Sequence, residues 1–314
     1  MTAGSTRSFI VIAGALLQLI AIDAHAAPAP KRVLLVLAHP DDETMIGGLL
    51  GRLRERGVTV NAIYVTDGEG GKVIVRDAKG KLKRDRKGQP MTRALSRKGV
   101  SAIREGELAV AARRFGFGEV IRLKEPDAPA RGKNGKPGTD VRAFRRAKHW
   151  NVGRIKKEIA SHAAQFQPDI VVTMLPKHRK IHAHHKLVGQ IVLELNNRGR
   201  LGPRAKGIYG IQERDWYRAA FAEGSHVIKL PRTAKARGLG FSTYGAFWAF
   251  GAKAHQSQPP GHPKAMIPGA LKADDVLQRL DKPAVRPSRD PLRRIVRTQP
   301  RRHFRRQVGK PRRR

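Results

Sequence analysis

Val33-Leu34-Leu35-Val36-Leu37 is an unbroken apolar run, and it stops abruptly at Ala38-His39-Pro40-Asp41-Asp42-Glu43. A run of that kind reads as a buried strand. The residues that follow are of metal-ligand and acid/base type, packed into five positions. They fall at the carboxyl edge of a sheet, where open α/β folds hold their ligands. Glu43, at the start of a helix, has a simpler use as negative charge at the positive end of the macrodipole.

What comes next alternates. Thr44 to Arg56 carries Met45, Ile46, Leu49, Leu50 and Leu53 at helical spacing and ends at Gly57. Val58 to Thr66 is a second β-rich run, stopped by Asp67-Gly68-Glu69-Gly70-Gly71. Helical patterns over residues 100–115, 142–166 and 182–197 are interleaved with short strand-like runs at 119–123 and 169–174. Val227 to Leu230 is a further candidate strand. The aromatics Phe241, Tyr244, Phe247, Trp248 and Phe250 read as packing residues. This alternation predicts an α/β, Rossmann-like, doubly wound and mostly parallel sheet with helices on both faces.

Both ends of the chain read differently. Phe9 to Ile22 is an apolar stretch preceded by Arg7 and followed by Ala24-His25-Ala26, the pattern of a cleaved secretory segment. The expected location is therefore secreted or periplasmic. The chain has a formal net charge of +39 and no cysteine, so a metal site must use His, Asp and Glu. Much of the excess charge sits in residues 72–99, read as a mobile surface insertion, and near the carboxyl terminus. The expected layout is an export segment over 1–26, one domain over 27–275, and a basic, disordered tail over 276–314.

A second cluster, Lys177-His178-Arg179-Lys180-Ile181-His182-Ala183-His184-His185, also follows a strand-like run. In a helix beginning near His182, His182 and His185 share a face and His184 points elsewhere. Two neighbouring strand ends would bring His39, Asp42 and His185 together. Two imidazoles and one carboxylate, with a fourth position open, is the composition of a catalytic zinc site. Asp41 is then placed as general base, and His182 as proton donor or oxyanion partner. His178 and His184 read as solvated or supporting groups.

Together these motifs resemble the LmbE/PIG-L family of zinc-dependent de-N-acetylases. Thr66-Asp67-Gly68, Arg104-x-x-Glu107 and Ala254-His255-Gln256-Ser257-Gln258 resemble further stretches of that family. The resemblance covers about residues 31–260. It implies one Zn2+ ion, or another divalent metal, held by His39, Asp42 and His185, with Asp41 as base and His182 as acid. It also implies that Arg104 and Asp127 line a sugar pocket, although Arg104 and Glu107 would serve equally as a structural ion pair. This chain departs from the family in two places. His184 stands where the family often has Asp, and Lys180 where it often has an aromatic residue. Lys180 is then a candidate for assisting the oxyanion or binding an anionic group.

The expected function is an exported metal-dependent amidohydrolase removing an N-acetyl group from an N-acetylglucosamine-containing substrate. The contrasting expectation is a non-enzymatic envelope protein that holds anionic polysaccharide or lipid through its basic insertion and tail. Nucleic acid is the generic partner of such charge, but export would place it out of reach.

Overall fold

The computed structural model describes residues 32–79, 81–127, 138, 140–177, 181–212, 227–257, 274–281 and 290–297. The expected export segment and residues 298–314 lie outside them. Within the described residues, no helix is long and apolar enough to cross a membrane.

Strand β1 (Arg32–Leu37) is the centre of the molecule, and its five apolar residues are fully buried. It is followed by a 3-10 turn (Asp42–Ile46) and α1 (Gly47–Glu55), then β2 (Thr59–Thr66). A two-stranded ribbon, β3 (Val73–Ile74) and β4 (Thr92–Arg93), leads into α2 (Arg97–Phe115) and β5 (Val120–Glu125). Next come α3 (Val141–Arg146), α4 (Val152–Phe166), β6 (Ile170–Met174), α5 (Ala183–Asn197) and β7 (Ile208–Ile211). The last elements are β8 (Val227–Pro231), α6 (Tyr244–Ala252), β9 (Asp274–Arg279) and α7 (Pro291–Arg297).

The main sheet runs β5-β2-β1-β6-β7-β9-β8. Strands β5, β2, β1, β6 and β7 are parallel, and β9 is antiparallel to both its neighbours. This is the expected architecture. The chain winds outward from β1 to β2 and β5, then returns to β6 on the other side of β1. The carboxyl ends of β1 and β6 are thus the topological switch point, where such sheets open a crevice. Helices α1, α2 and α6 pack together, and α3 and α4 pack on α5. Right-handed crossovers place these two groups on opposite faces.

Three expectations are corrected. Residues 142–166 form two helices, because Lys148 turns left-handed at φ 51° and Asn151 caps the second. The basic insertion is an ordered ribbon over much of its length. Val73 and Ile74 are buried, and the Ile74 N–H donates to the Ser257 carbonyl. The domain does not end at residue 275. That position lies inside β9, whose Leu277 is fully buried between two strands, and α7 buries Leu292, Ile295 and Val296. The sequence hides this because the segment's polar groups are buried as pairs. Asp275 meets Arg232, and Arg279 meets Asp281 and Asp290. Of the aromatics, Tyr244, Phe247 and Trp248 are core as expected, while Phe250 is 41% exposed.

Candidate active site

The β1 strand delivers its polar residues through a tight local turn. The N–H groups of Ala38 and His39 both donate to Asp42 Oδ2, at 2.9 and 2.8 Å. That fixes the carboxylate and leaves Oδ1 facing His185 Nε2 at 3.2 Å. The turn forces Asp41 to φ 135°, a region that side-chain-bearing residues rarely adopt. It is held there because its N–H donates to Glu43 Oε2 and its carbonyl accepts from the Thr44 N–H and hydroxyl. Such strain costs about 1–3 kcal/mol and persists only when the surroundings over-determine it.

The other half of the site arrives on α5. His182 caps the helix, its Nδ1 accepting from the His184 N–H, and His184 and His185 lie in the first turn. This puts His185 Nε2 3.1 Å from His39 Nδ1. His39, Asp42 and His185 therefore converge as the sequence predicts. The three donor atoms lie within 4.8 Å of one another, and two imidazoles with one carboxylate suit a divalent cation.

Electrostatics follow from burial and proximity. Burial alone would raise Asp42's pKa, but His185 and His39 outweigh it and hold the carboxyl well below the usual range. Burial would lower His39's, yet Asp127 and Asp42 carry it up to about 9. Asp41 moves the other way from Asp42. Desolvation raises its pKa and the charge of Asp42 adds to that, against the pull of Arg104. Burial pushes His182 down, as do His39, His184 and His185.

Asp127 sits on the rim beside the ligands. Its Oδ1 is 3.4 Å from His39 Nε2 and 3.2 Å from His184 Nδ1, and its Oδ2 accepts from the Gly70 N–H. Arg104 is buried with its Nε unpartnered, its guanidinium lying against Gly68 and Gly71, where any Cβ would collide with it. Arg104 makes no ion pair with Glu107 among the described residues. Glu107 instead accepts from the Ser257 N–H and hydroxyl, at 2.5 and 2.7 Å. Lys180 and His178 lie outside the described residues.

Two readings change. Glu43 lies at the start of the 3-10 turn, but it does more than place negative charge at a helix start. It is fully buried, accepts the Tyr64 hydroxyl at 2.9 Å, and pairs with His255 Nε2 at 2.5 Å. Burial would lower His255's pKa, but Glu43, Asp41 and Glu107 together raise it. The Ala254-His255-x-Ser257 stretch thus braces the back of the site through Glu43 and Glu107. Only its resemblance to other sequences hinted at this. His184 is not solvated either. Its ring is fully buried against Phe144 and Trp150, at centroid distances of 4.7 and 4.9 Å.

Residues 34–196, over half of the chain, match the PIG-L family, described as GlcNAc-PI de-N-acetylase. The chain belongs to this family. Among curated PIG-L relatives, a 1D-myo-inositol 2-acetamido-2-deoxy-alpha-D-glucopyranoside deacetylase of Segniliparus rotundus is 28% identical over 218 residues, 63% of each chain. Deacetylase 1 of the same description from Saccharopolyspora erythraea is 51% identical over 53 residues, 17% of this chain and 18% of that one. The chain thus aligns with less than two thirds of the length of either relative. Among solved structures, the N,N'-diacetylchitobiose deacetylase of Pyrococcus horikoshii shares the fold at 17% identity and a TM-score of 0.50, over 89% of this chain and 95% of that one.

Proposed function

We propose that this PIG-L protein is an exported, zinc-dependent amidohydrolase that removes the N-acetyl group from an N-acetylglucosamine-containing glycolipid, glycan or glycoconjugate. The observation that carries this reading is the convergence of His39 Nδ1, His185 Nε2 and Asp42 Oδ1 at the switch point, with Asp41 beside them. The 2-acetamido sugar in the names of the aligned relatives supports the substrate class. Export rests on the composition of residues 1–26, and zinc on a donor set of two imidazoles and one carboxylate.

A divalent cation held by His39, Asp42 and His185 would polarise the amide carbonyl and make water a stronger acid. Asp41, its pKa raised by desolvation, accepts the proton of the attacking water. The water oxygen joins the acetyl carbon, the C–N bond breaks, and the sugar amine takes a proton as acetate leaves. That proton is the one Asp41 took from the water, and His182, kept neutral by burial and its neighbouring rings, supplies a hydrogen bond to the carbonyl oxygen. Its Nδ1 is engaged as an acceptor, so in the neutral ring Nε2 carries the hydrogen. In this reading Arg104 and Asp127 meet the sugar hydroxyls.

Acetate release from a panel of N-acetylglucosamine conjugates, before chelation, after it and after zinc restoration, tests this. Activity should vanish on chelation, return with zinc, and be lost in His185→Ala. Undiminished hydrolysis by metal-free protein would overturn the reading.

A further inference from the structure

The basic ribbon is rooted beside the site. It departs after Gly70, whose N–H donates to Asp127 Oδ2, and returns at Arg97, whose Nη2 donates to the Asp127 carbonyl. Asp127 Oδ1 lies 3.4 Å from His39 Nε2, so both ends of the ribbon rest on a residue that borders the metal ligands. Arg104 continues the positive charge inward. Its guanidinium lies against Gly71, the residue before the ribbon's first lysine, and pulls on the charge of Asp41.

The ribbon itself presents charge and keeps none for its own use. Eleven of the residues from Lys72 to Lys98 are basic and two, Asp77 and Asp85, are acidic. Both acids are spent on backbone. Asp77 Oδ1 accepts the N–H groups of Lys79 and Lys81, and Asp85 Oδ1 those of Lys87 and Gln89, at 2.8–2.9 Å. The sequence behind this device occurs twice, as Arg-Asp-x-Lys-Gly at 76–80 and again at 84–88. The limbs hold one another, with Lys83 N–H donating to the Val75 carbonyl and Met91 N–H to the Lys83 carbonyl, at 3.0 and 2.9 Å. Lys79, Lys81, Arg86 and Lys87, in the two turns, are exposed and pair with no carboxylate among the described residues. Cations gathered in this way repel one another until an anion from outside sits among them.

We propose that the substrate is an acidic glycan strand, and that the ribbon is the track that holds its charged sugars while one N-acetylglucosamine unit occupies the site. The composition of the ribbon selects this polyanion over others. No aromatic residue lies between Lys72 and Lys98, so nothing there stacks on a base or sinks a ring into a bilayer. Six of the eleven basic residues are lysine, a point charge without the planar fork of arginine. The track therefore reads negative charge along the strand and not one particular anion. Binding of this kind, remote from the reacting amide, raises kcat/KM through a part of the substrate that does not react.

The proposal rests on the deacetylase reading of the site. Its test is the fluorescence anisotropy of an end-labelled dodecasaccharide alternating glucuronate with N-acetylglucosamine, titrated with the zinc-loaded full chain at several salt concentrations. Acetate release is measured from the same oligosaccharide and from neutral N-acetylglucosamine conjugates. The variant K79Q/K81Q/R86Q/K87Q should bind about tenfold more weakly or worse, with a shallower salt dependence. Its ratio of kcat/KM on the acidic to the neutral substrates should fall by a similar factor. K79R/K81R/K87R keeps the charge and should match the parent. Equal binding by the parent and the glutamine variant would overturn the track. So would a parent that prefers the neutral conjugates, or ribbon-dependent binding that is tighter to anionic lipid vesicles or to RNA than to the oligosaccharide. Ribbon-dependent binding with no acetate released from any conjugate, acidic or neutral, would overturn the deacetylase reading instead.

Discussion

Asp41 and Asp42 are adjacent and chemically identical, yet the fold pushes their pKa values apart. Asp42 is tied down by two backbone N–H groups and two imidazoles, which stabilise its charge. Asp41 has no such escort, and burial favours its protonated form. Divergent environments of this kind separate a ligand from a base. Replacing Asp41 by Asn should lower kcat by about 10²–10⁴-fold while metal content, measured on the same preparation, stays at the parent value. Asp41→Gly separates strain from chemistry. Glycine adopts φ 135° far more readily, so the melting temperature should hold or rise even as turnover is lost. A melting temperature several degrees below the parent's would show that the turn is not strained. The HPDDE stretch announces the two carboxylates, but not their division of labour, because that depends on which side chain the turn aims at its own backbone. The role of Glu43 is hidden in the sequence for the same reason. Its partners, Tyr64 and His255, lie 21 and 212 residues away.

At the scale of the element, the position of the α5 N-terminus decides whether His182, His184 and His185 reach β1. Gly189 sets that position. A Cβ there would collide with the Met174 carbonyl and lie 2.8 Å from Pro176 N, so the helix rests directly on the end of β6. Gly189→Ala gains helix propensity of up to about 1 kcal/mol, but overpacking costs about 1–3 kcal/mol. The expected result is a lower melting temperature together with weaker metal binding, because α5 must lift and carry His185 with it. Loss of stability with full metal affinity would show that α5 does not set the ligand's position. Helix α4 offers a pH test away from the site. His162 is buried beside Asn61, and burial lowers its pKa more than Glu119 raises it. Below the unfolded-state value of about 6.5 the unfolded chain binds the extra proton first, so stability present at neutral pH is lost as pH falls. His162→Gln should flatten the stability profile between about pH 7 and 5, read by urea denaturation. The apolar runs of β1, β2 and β6 made these central elements legible in the sequence. The interior of α5 was equally plain, with Leu187, Val188, Ile191, Val192 and Leu195 at helical spacing. β9 was not legible, because Asp274, Asp275 and Arg279 mimic a solvated segment until their partners in other elements are known.

For the molecule as a whole, the basic regions have to be divided between what the fold uses and what it does not. The ribbon of β3 and β4 is anchored behind the site, with Ile74 on Ser257 and Arg76 Nε on the Gln256 carbonyl. Its positive charge is thus fixed against the Gln256–Ser257 stretch at the back of the site. The carboxyl-terminal basic stretch splits in two. Residues 290–297 belong to the core, where buried Asp290 accepts from the Tyr209 hydroxyl and pairs with Arg279, and Leu292 is completely enclosed. Residues 298–314 contribute eight of the chain's Lys and Arg side chains with no acidic residue. Two truncations should therefore behave differently. Ending the chain after Asp281 removes three buried aliphatic side chains, each worth about 1.5–3 kcal/mol, and leaves the buried Tyr209 hydroxyl without its Asp290 partner. That protein should unfold well below the parent or fail to accumulate folded. Ending it after Arg297 should leave the melting temperature and acetate release unchanged, while salt-sensitive adsorption to anionic lipid vesicles weakens. If the shorter tail also abolished acetate release, the terminal charges would be part of the catalyst and not a tether. If adsorption were undiminished, the ribbon and the charged surface around it would be what holds the protein to an anionic envelope.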